Sequence, residues 1–416
     1  MKPIKQYLSA STENYLGYVD PRFQDLAVQF SRFQDARAEQ GGAALVVYHQ
    51  GEKVLDIYTG KKSEQELWQP DTLSVCYSTG KGVLATLAHI LVSHGLISYD
   101  TPVAEYWPEF AQQDKDQITL AHILSHQSGL YDIRNIIEDA REMVDWSHIL
   151  QRVAAARPRF ALGTDAAYQP LTFGWQVGGA LEKATGKTLA ELMEQYLVQP
   201  LQLDGAYFGV PEHELLRVAR PIHRKKEQTR SRADQTHQPR KPNLMERALE
   251  LSGQNPQDFQ DAMIPKGMKH LNFFSDEGLK AIIPAATGVF TAQSLAKVYA
   301  MLAQQGQWQG QDLISQQTFT RLSTVQYTHR DRIMPFPMHW RLGYHRILTL
   351  GKSTKGFGHV GFNGSGAWCD PERKLSFAYT HNFPTASITG DYRLWGLTQE
   401  ALRCADQIQT GRKGWF

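Results

Sequence analysis

A serine and a lysine three residues apart form the part of the chain best suited to chemistry, in Ser78-Thr79-Gly80-Lys81. Apolar residues at helical spacing follow, so the Ser78 hydroxyl would lie at a helix start, near the positive end of the dipole. Lys81 would share that helix face, one turn along. A lysine accepts a proton only when it is neutral, and burial at a helix start lowers its pKa. The segment therefore predicts a serine nucleophile with a lysine base.

The spacing alone is weak evidence, because a second copy, Ser294-Leu295-Ala296-Lys297, lies within an amphipathic helix pattern. We interpret that copy as a surface serine and lysine. The first copy differs because Gly80 and Gly82 occupy the first turn of its helix. Each costs about 1 kcal/mol relative to alanine. Something is therefore expected to approach this backbone closely.

The elements that position these residues are strands at both ends of the chain and helices between them. Two β-hairpins are predicted, over 43–58 and over 364–380, each with a short turn. Helical periodicity marks 83–91, with Gly95 at its C-terminal cap. It also marks 119–125, 143–156, 171–184 and 189–196.

The predicted fold class is α/β of the α+β type. An antiparallel β-sheet, built from both termini and flanked by helices, carries an inserted, mostly helical domain. A chain of 416 residues is longer than one hydrophobic core usually grows. We therefore predict two domains, a sheet domain of residues 1–80 and 285–416 and a helical domain of 81–284.

Composition bears on where the protein acts and on which partners and cofactors it binds. The N-terminal residues lack the apolar run of a secretory signal, and no apolar stretch has the length of a membrane span. Three scattered cysteines, Cys76, Cys369 and Cys404, suggest neither a disulfide framework nor a zinc site. We expect a cytoplasmic protein without membrane partners, bound metal or cofactor. The sequence makes no prediction of an oligomeric state.

One segment is strongly basic although the net charge is only +2. Residues 217–247 contain ten Lys/Arg against three Asp/Glu, so the rest of the chain is net acidic. No aromatic residues are interleaved with these basic ones for stacking on bases. We interpret 217–247 as a solvated insertion and expect no nucleic-acid partner.

Several ordered segments resemble the penicillin-recognising serine hydrolases, particularly class C β-lactamases and the family VIII carboxylesterases that share their fold. The resemblance runs from about Ala43 to Asn382. It includes Ser78-Thr79-Gly80-Lys81, residues 118–130 (ITLAHILSHQSGL), residues 284–290 (PAATGVF) and the terminal hairpin. Several matches in order are far more specific than one tetrapeptide.

The family's Tyr-x-Asn motif corresponds to Tyr168-Gln169-Pro170. The resemblance implies that Tyr168 relays a proton between Ser78 and the leaving group, with Lys81 setting its charge state. Pro170 departs from the pattern, because it removes the amide that lactamases present to their substrates. This departure argues against efficient β-lactam hydrolysis.

The family's Lys-Thr-Gly motif, on an edge strand, corresponds to His359-Val360-Gly361. The resemblance implies that His359 contacts substrate through a hydrogen bond, with a charge that depends on pH, unlike that of lysine. Gly361 would let substrate lie against the strand. The backbone N–H groups of Phe362 and Ser78 would form the oxyanion hole.

Other candidate residues carry weaker signals. Trp340, Tyr344 and Phe362 are candidates for lining an apolar acyl pocket, with core packing as the alternative for each. His122 and His126 have a spacing that metal ligands can show, but no third ligand accompanies them. We interpret both as packing or capping residues.

The leading hypothesis is a serine hydrolase that cleaves small-molecule carboxylic esters through an acyl-enzyme on Ser78. The absence of an export signal, Pro170 and His359 favour esters over β-lactams. A β-lactamase and a D-amino-acid peptidase or amidase are alternatives on the same fold. A catalytically silent binding protein that docks a partner through its basic insertion is the alternative from another class.

Overall fold

The structure is a computed structural model that describes residues 15–35, 40–222, 253–349, 354–385 and 391–410. Its strands are β1 (Leu16–Val19), β2 (Gly42–His49), β3 (Glu52–Gly60), β4 (Leu73–Val75), β5 (Ala206–Phe208), β6 (Val218–Ala219), β7 (Gly288–Phe290), β8 (Gln307–Trp308), β9 (Gln311–Asp312), β10 (His345–Arg346), β11 (Phe357–Val360), β12 (Gly366–Asp370) and β13 (Leu375–His381). Its α-helices are α1 (Gln24–Asp35), α2 (Thr79–Ser93), α3 (Val103–Tyr106), α4 (Leu120–Leu124), α5 (Trp146–Ala155), α6 (Thr172–Thr185), α7 (Leu189–Met193), α8 (Gln199–Leu201), α9 (Pro256–Met263), α10 (Asp276–Lys280), α11 (Ala292–Ala303), α12 (Gln316–Ser323) and α13 (Tyr392–Thr410).

Seven strands form the main sheet, in the order β1-β3-β2-β13-β12-β11-β10. Every neighbouring pair is antiparallel. The two halves of the chain meet at the centre, where Val46 of β2 lies opposite Ala378 of β13. Both predicted hairpins are confirmed, as is the antiparallel sheet built from both ends of the chain.

The sheet is buried on both faces, because side chains along a strand alternate between them. On β2, Leu45 and Val47 belong to a core that also includes apolar residues of α1 and α13. Ala44 and Val46 point the other way, into the larger core shared with α2, α6 and α11. The helix α2 is thus packed in the interior, and Ser78 precedes its first residue.

A second, four-stranded sheet, in the order β5-β7-β4-β6, was not predicted from the sequence. Its strands have only two or three residues, too few for a recognisable alternation. Val75 of β4 lies opposite Val289 of β7. This pairing joins the segment before Ser78 to residues 284–290.

Glycines at the start of α2 allow close packing, as expected. A Cβ atom at position 80 would lie 2.6 Å from the Pro284 carbonyl oxygen. One at position 82 would lie 2.1 Å from the Tyr299 hydroxyl. The groups that approach the start of α2 closely are thus parts of the protein itself, Pro284 and Tyr299. At the other end of α2, Gly95 has φ +70°, and the Leu96 N–H donates to the Leu91 carbonyl, which confirms the predicted cap.

One interpretation from the sequence is wrong, and another stays a prediction. Ser294 is buried and donates to the Asp204 carbonyl at 2.9 Å, so it is a structural serine rather than a surface one. Most of the basic segment 217–247 lies outside the described residues. At its described start, Arg217 pairs with Glu214 and with Asp204.

None of the helices in the described ranges is long and apolar enough to cross a membrane. The domain division at residues 80 and 285 stays a prediction.

Candidate active site

Ser78 occupies the N-cap position of α2, three residues after β4 ends. Tyr77, immediately before it, has φ +47°, a left-handed conformation that few non-glycine residues adopt. This sharp change of direction places a partly exposed serine between the buried strand and the buried helix. A strained residue next to a candidate nucleophile is typical of a functional site.

Lys81 contacts Ser78 directly, with 2.8 Å between Nζ and Oγ. The same nitrogen lies 2.7 Å from the Pro170 carbonyl oxygen and 3.2 Å from that of Ala285. Burial lowers the pKa of Lys81 well below its usual value. A neutral amine has two hydrogens and one lone pair. If the hydrogens go to the two carbonyls, the lone pair faces the Ser78 hydroxyl.

Tyr168 approaches Ser78 from the helical part of the chain, and its hydroxyl donates to Ser78 Oγ at 2.8 Å. Its ring is buried, and burial raises its pKa, while the hydrogen bond to Ser78 acts in the opposite direction. Lys81 Nζ lies 5.1 Å from the ring centre. The structure therefore brings together the three residues predicted to share a proton.

His359 faces this group from β11. Its ring centre lies 6.2 Å from that of Tyr168 and 4.9 Å from that of His345. Burial lowers the pKa of His359, and His345 and Lys81 lower it further, so the imidazole is neutral. Contrary to expectation, β11 is not the edge strand. The short β10 lies outside it but pairs only with Phe357 and Gly358, so His359 lies past the end of β10.

The predicted oxyanion hole lies where β11 ends. A Cβ atom at position 361 would lie 2.3 Å from the Cys76 carbonyl oxygen, so Gly361 lets the strand pack against the segment before Ser78. The close neighbour of Gly361 is therefore the backbone at Cys76. The peptide N–H groups of Ser78 and Phe362 have no acceptor among the described residues. The Phe362 ring is 39% exposed and lies 6.0 Å from the Tyr77 ring.

The two remaining aromatic candidates are both buried. Trp340 stacks on Tyr168, with 5.5 Å between ring centres and 6° between ring planes. Tyr344 does not join this group. It is fully buried, its hydroxyl lies 2.7 Å from that of Thr86, and it packs against Phe357. The sequence alone does not reveal which aromatic residues near a motif face the site and which face the core.

The segment around Tyr168 presents no free side-chain amide. Pro170 contributes only its carbonyl, to Lys81. Gln169 is buried and donates to Ser128 Oγ at 2.7 Å, while its side-chain oxygen accepts from Gln176. The amide that lactamases present at this motif is therefore missing.

Sequence reasoning missed the two carbonyls that bind Lys81, although Ala285 lies in one of the segments that carry the family resemblance. It also missed Asp331, a buried acid behind Trp340. The two spaced histidines are structural, as expected. His122 accepts from the Thr119 N–H in a capping box, and His126 packs against Tyr168. In the described ranges, no three His, Cys, Asp or Glu residues are arranged to hold a metal ion.

Comparison with known proteins identifies relatives that are named esterases or β-lactamases. The Beta-lactamase family matches residues 30–399. The esterase/beta-lactamase LipL of Mycobacterium tuberculosis is 34% identical over 370 residues, which cover 88% of this chain and 82% of that protein. The esterase EstB of Burkholderia gladioli is 29% identical over 223 residues, covering 48% of this chain and 53% of that protein.

Solved structures agree across nearly the whole chain. A penicillin-binding protein homologue from Caulobacter crescentus superposes with a TM-score of 0.79 at 30% identity, covering 94% of this chain and 100% of that one. A family VIII carboxylesterase superposes with a TM-score of 0.79 at 28% identity and the same coverage. The chain belongs to the Beta-lactamase family and is a serine hydrolase.

Proposed function

We propose that this protein hydrolyses carboxylic esters of small molecules through a covalent acyl-enzyme on Ser78. The observation that carries the proposal is the position of Ser78 Oγ, 2.8 Å from both Lys81 Nζ and the Tyr168 hydroxyl. A nucleophile within hydrogen-bonding reach of a base and of a proton donor has the groups that acyl transfer needs.

In the acylation step, Lys81 takes the Ser78 proton while Ser78 Oγ bonds to the ester carbonyl carbon. The negative charge that develops on the carbonyl oxygen is stabilised by the N–H groups of Ser78 and Phe362. The C–O bond of the ester then breaks, and the leaving alkoxide takes the Tyr168 proton. The proton on Lys81 returns to the Tyr168 oxygen, so both residues are neutral again.

Water completes the cycle by the reverse proton path. A water molecule loses its proton to the Lys81–Tyr168 pair as its oxygen attacks the acyl carbon. The bond to Ser78 Oγ breaks, and Ser78 recovers a proton from the same pair. The products are the carboxylic acid and the free enzyme, with no metal or cofactor in any step of the proposed cycle.

Two features favour neutral esters over β-lactams as substrates. Penicillins and cephalosporins carry a carboxylate, which a cation at the position of His359 would pair with. Burial keeps His359 neutral instead. The missing amide at Pro170 removes a second contact. A neutral ester needs neither the cation nor the amide.

The test compares p-nitrophenyl acetate and butyrate with a chromogenic cephalosporin on the same purified protein. We expect kcat/KM for the esters to exceed that for the cephalosporin, and Ser78→Ala to abolish turnover. Ser294→Ala is the matched control, because Ser294 also precedes a lysine by three residues but is structural. Activity confined to the cephalosporin, or full activity in Ser78→Ala, would refute the proposal.

A further inference from the structure

The backbone around Tyr168 is held between two loops. On one side, the His126 carbonyl accepts from the Ala167 N–H at 2.9 Å, and His126 Nδ1 accepts from the Gln169 N–H at 3.4 Å. The ring of His126 also packs against that of Tyr168, with 5.1 Å between centres. The residues directly before and after the candidate proton donor are therefore bound by one residue.

On the other side lies the loop that contains Asp331. The Arg332 N–H donates to the Ala166 carbonyl at 3.0 Å, which joins this loop to the Tyr168 segment. Asp331 Oδ1 accepts from the Ile333 and Met334 N–H groups at 2.8 and 2.6 Å. Asp331 Oδ2 accepts from the Trp340 indole N–H at 2.9 Å.

Trp340 links Asp331 to Tyr168, because it contacts both residues. Its indole lies almost parallel to the Tyr168 phenol, and the hydrogen bond to Asp331 fixes the rotation of the indole about its own side-chain bonds. The peptide N–H of Tyr168 also lowers the pKa of the Asp331 carboxylate. Asp331 thus influences Tyr168 through its backbone and through the ring that stacks on it.

We propose that Asp331 is a positioning residue for Tyr168, holding the phenol within hydrogen-bonding reach of Ser78 through Trp340. This inference rests on the proposed function, since it assigns Tyr168 a part in proton transfer. Small displacements of a proton donor have large kinetic effects, up to about a hundredfold for about 1 Å. A positioning residue therefore affects kcat more than substrate affinity.

The chemistry at Asp331 requires a carboxylate. Its three hydrogen-bond partners are all N–H donors, from the Ile333 and Met334 backbone and from the Trp340 ring. Burial raises the pKa of Asp331 to about 6, against the lowering by these donors, so it is mainly charged at neutral pH. An asparagine would point its own N–H groups at one of these donors and lose that hydrogen bond.

The test is a double-mutant cycle with Asp331→Asn, Trp340→Phe and the double variant on ethyl butyrate, an ester whose alkoxide leaving group needs the Tyr168 proton. We expect Asp331→Asn to lower kcat about 10-fold to 100-fold with KM within about threefold of wild type. Trp340→Phe keeps a stacking ring but removes the donor, and we expect it to lower kcat as well. The double variant should lose less than the product of the two single effects, because both break one contact.

Asp370→Asn is the matched control. Asp370 is also buried and accepts from the N–H groups two and three residues along, of Glu372 and Arg373, but lies at the end of β12. Its replacement should lower the melting temperature while kcat stays within about twofold of wild type. If Asp331→Asn fails to fold, Trp340→Phe alone decides, and a kcat within twofold of wild type in that variant contradicts the inference.

The rate at which a fluorophosphonate labels Ser78 separates this inference from the proposed function. A lower kcat for ethyl butyrate in folded Asp331→Asn than in Asp370→Asn, at equal labelling rates, supports the positioning role, because fluoride leaves without the Tyr168 proton. Equal labelling and equal kcat in folded Asp331→Asn and wild type contradict it, while the ester activity of the wild type stands. A wild-type protein that neither hydrolyses esters nor becomes labelled contradicts both.

Discussion

The amine of Lys81 and the phenol of Tyr168 lie at the same distance, 2.8 Å, from one oxygen atom of Ser78. Burial acts on their pKa values in opposite directions, lowering that of Lys81 and raising that of Tyr168. Burial thus favours the neutral form of both groups. A neutral amine is a base and a neutral phenol is an acid, so burial favours their complementary parts in acyl transfer.

The first prediction concerns the base. Replacing Lys81 with arginine keeps a long side chain that ends in nitrogen but removes the usable lone pair, because arginine stays protonated. We expect kcat on p-nitrophenyl esters to fall about 100-fold to 10,000-fold. Lys297→Arg, in the second Ser-x-x-Lys segment, is the control and should retain activity. Comparable activity of Lys81→Arg and wild type would exclude Lys81 as the base.

The second prediction is a dependence of stability on pH. In the unfolded chain Lys81 binds a proton up to pH about 10.5, whereas the folded protein holds it neutral at lower pH. The unfolded state therefore binds more protons, and stability rises with pH in that window. Relative to Lys81→Met, the free energy of unfolding of the wild type should increase from pH about 7 to about 10, by up to about 1.4 kcal/mol per unit.

Denaturant titrations of both proteins across this range measure the difference, in which the other ionisable groups largely cancel. A difference that does not change with pH would mean that Lys81 is charged in the folded protein.

The third prediction concerns Tyr168 as the acid. Replacing it with phenylalanine keeps the ring against Trp340 but removes the proton for the leaving group. An alkoxide needs that proton more than p-nitrophenolate does, since the latter is already a stable anion. Tyr168→Phe should therefore reduce kcat for ethyl butyrate at least about tenfold more than for p-nitrophenyl butyrate. Equal reductions for the two esters would contradict this role.

The fourth prediction concerns substrate charge. Replacing His359 with lysine puts an amine, protonated when it pairs with a substrate carboxylate, where burial now keeps a neutral imidazole. A hydrogen bond from that cation to a substrate carboxylate contributes about 1.5–3 kcal/mol. The ratio of kcat/KM for a cephalosporin to that for p-nitrophenyl acetate should rise about tenfold or more. His359→Gln, which adds no charge, is the control, and an equal rise in both variants would disprove the charge argument.

The fifth prediction concerns the packing of α2. An alanine at position 82 would bring its Cβ to 2.1 Å from the Tyr299 hydroxyl, so Gly82→Ala should destabilise the fold by about 1–3 kcal/mol. Tyr299→Phe removes that oxygen and should restore part of the loss. Thermal unfolding of the two single variants and the double variant measures the coupling, and additive effects would show that the contact does not limit the packing.

The sequence predicted the main sheet, and it predicted that Ser78, Lys81 and Tyr168 lie together, because these residues carry a family motif or follow a strong periodicity. It could not identify the carbonyls of Pro170 and Ala285 as partners of Lys81, since every residue has a carbonyl and only the fold selects two. Asp331 was missed for a similar reason. It is one of 42 acidic residues, and its burial follows from contacts with distant parts of the chain.

The short strands of the second sheet mark another limit. Val289 lies opposite Val75 in the structure, but a strand of three residues has no period to detect. Tyr344 shows the same limit for a side chain, because its place in the core depends on helix α2 and on Phe357.

Peptide mapping of the protein after brief reaction with a slowly hydrolysed p-nitrophenyl ester is the most direct test of a covalent intermediate at Ser78. We predict one acyl group, carried by the peptide that contains residues 76–81, and none in Ser78→Ala. An acyl group on any other residue, or hydrolysis that persists in Ser78→Ala, would contradict it.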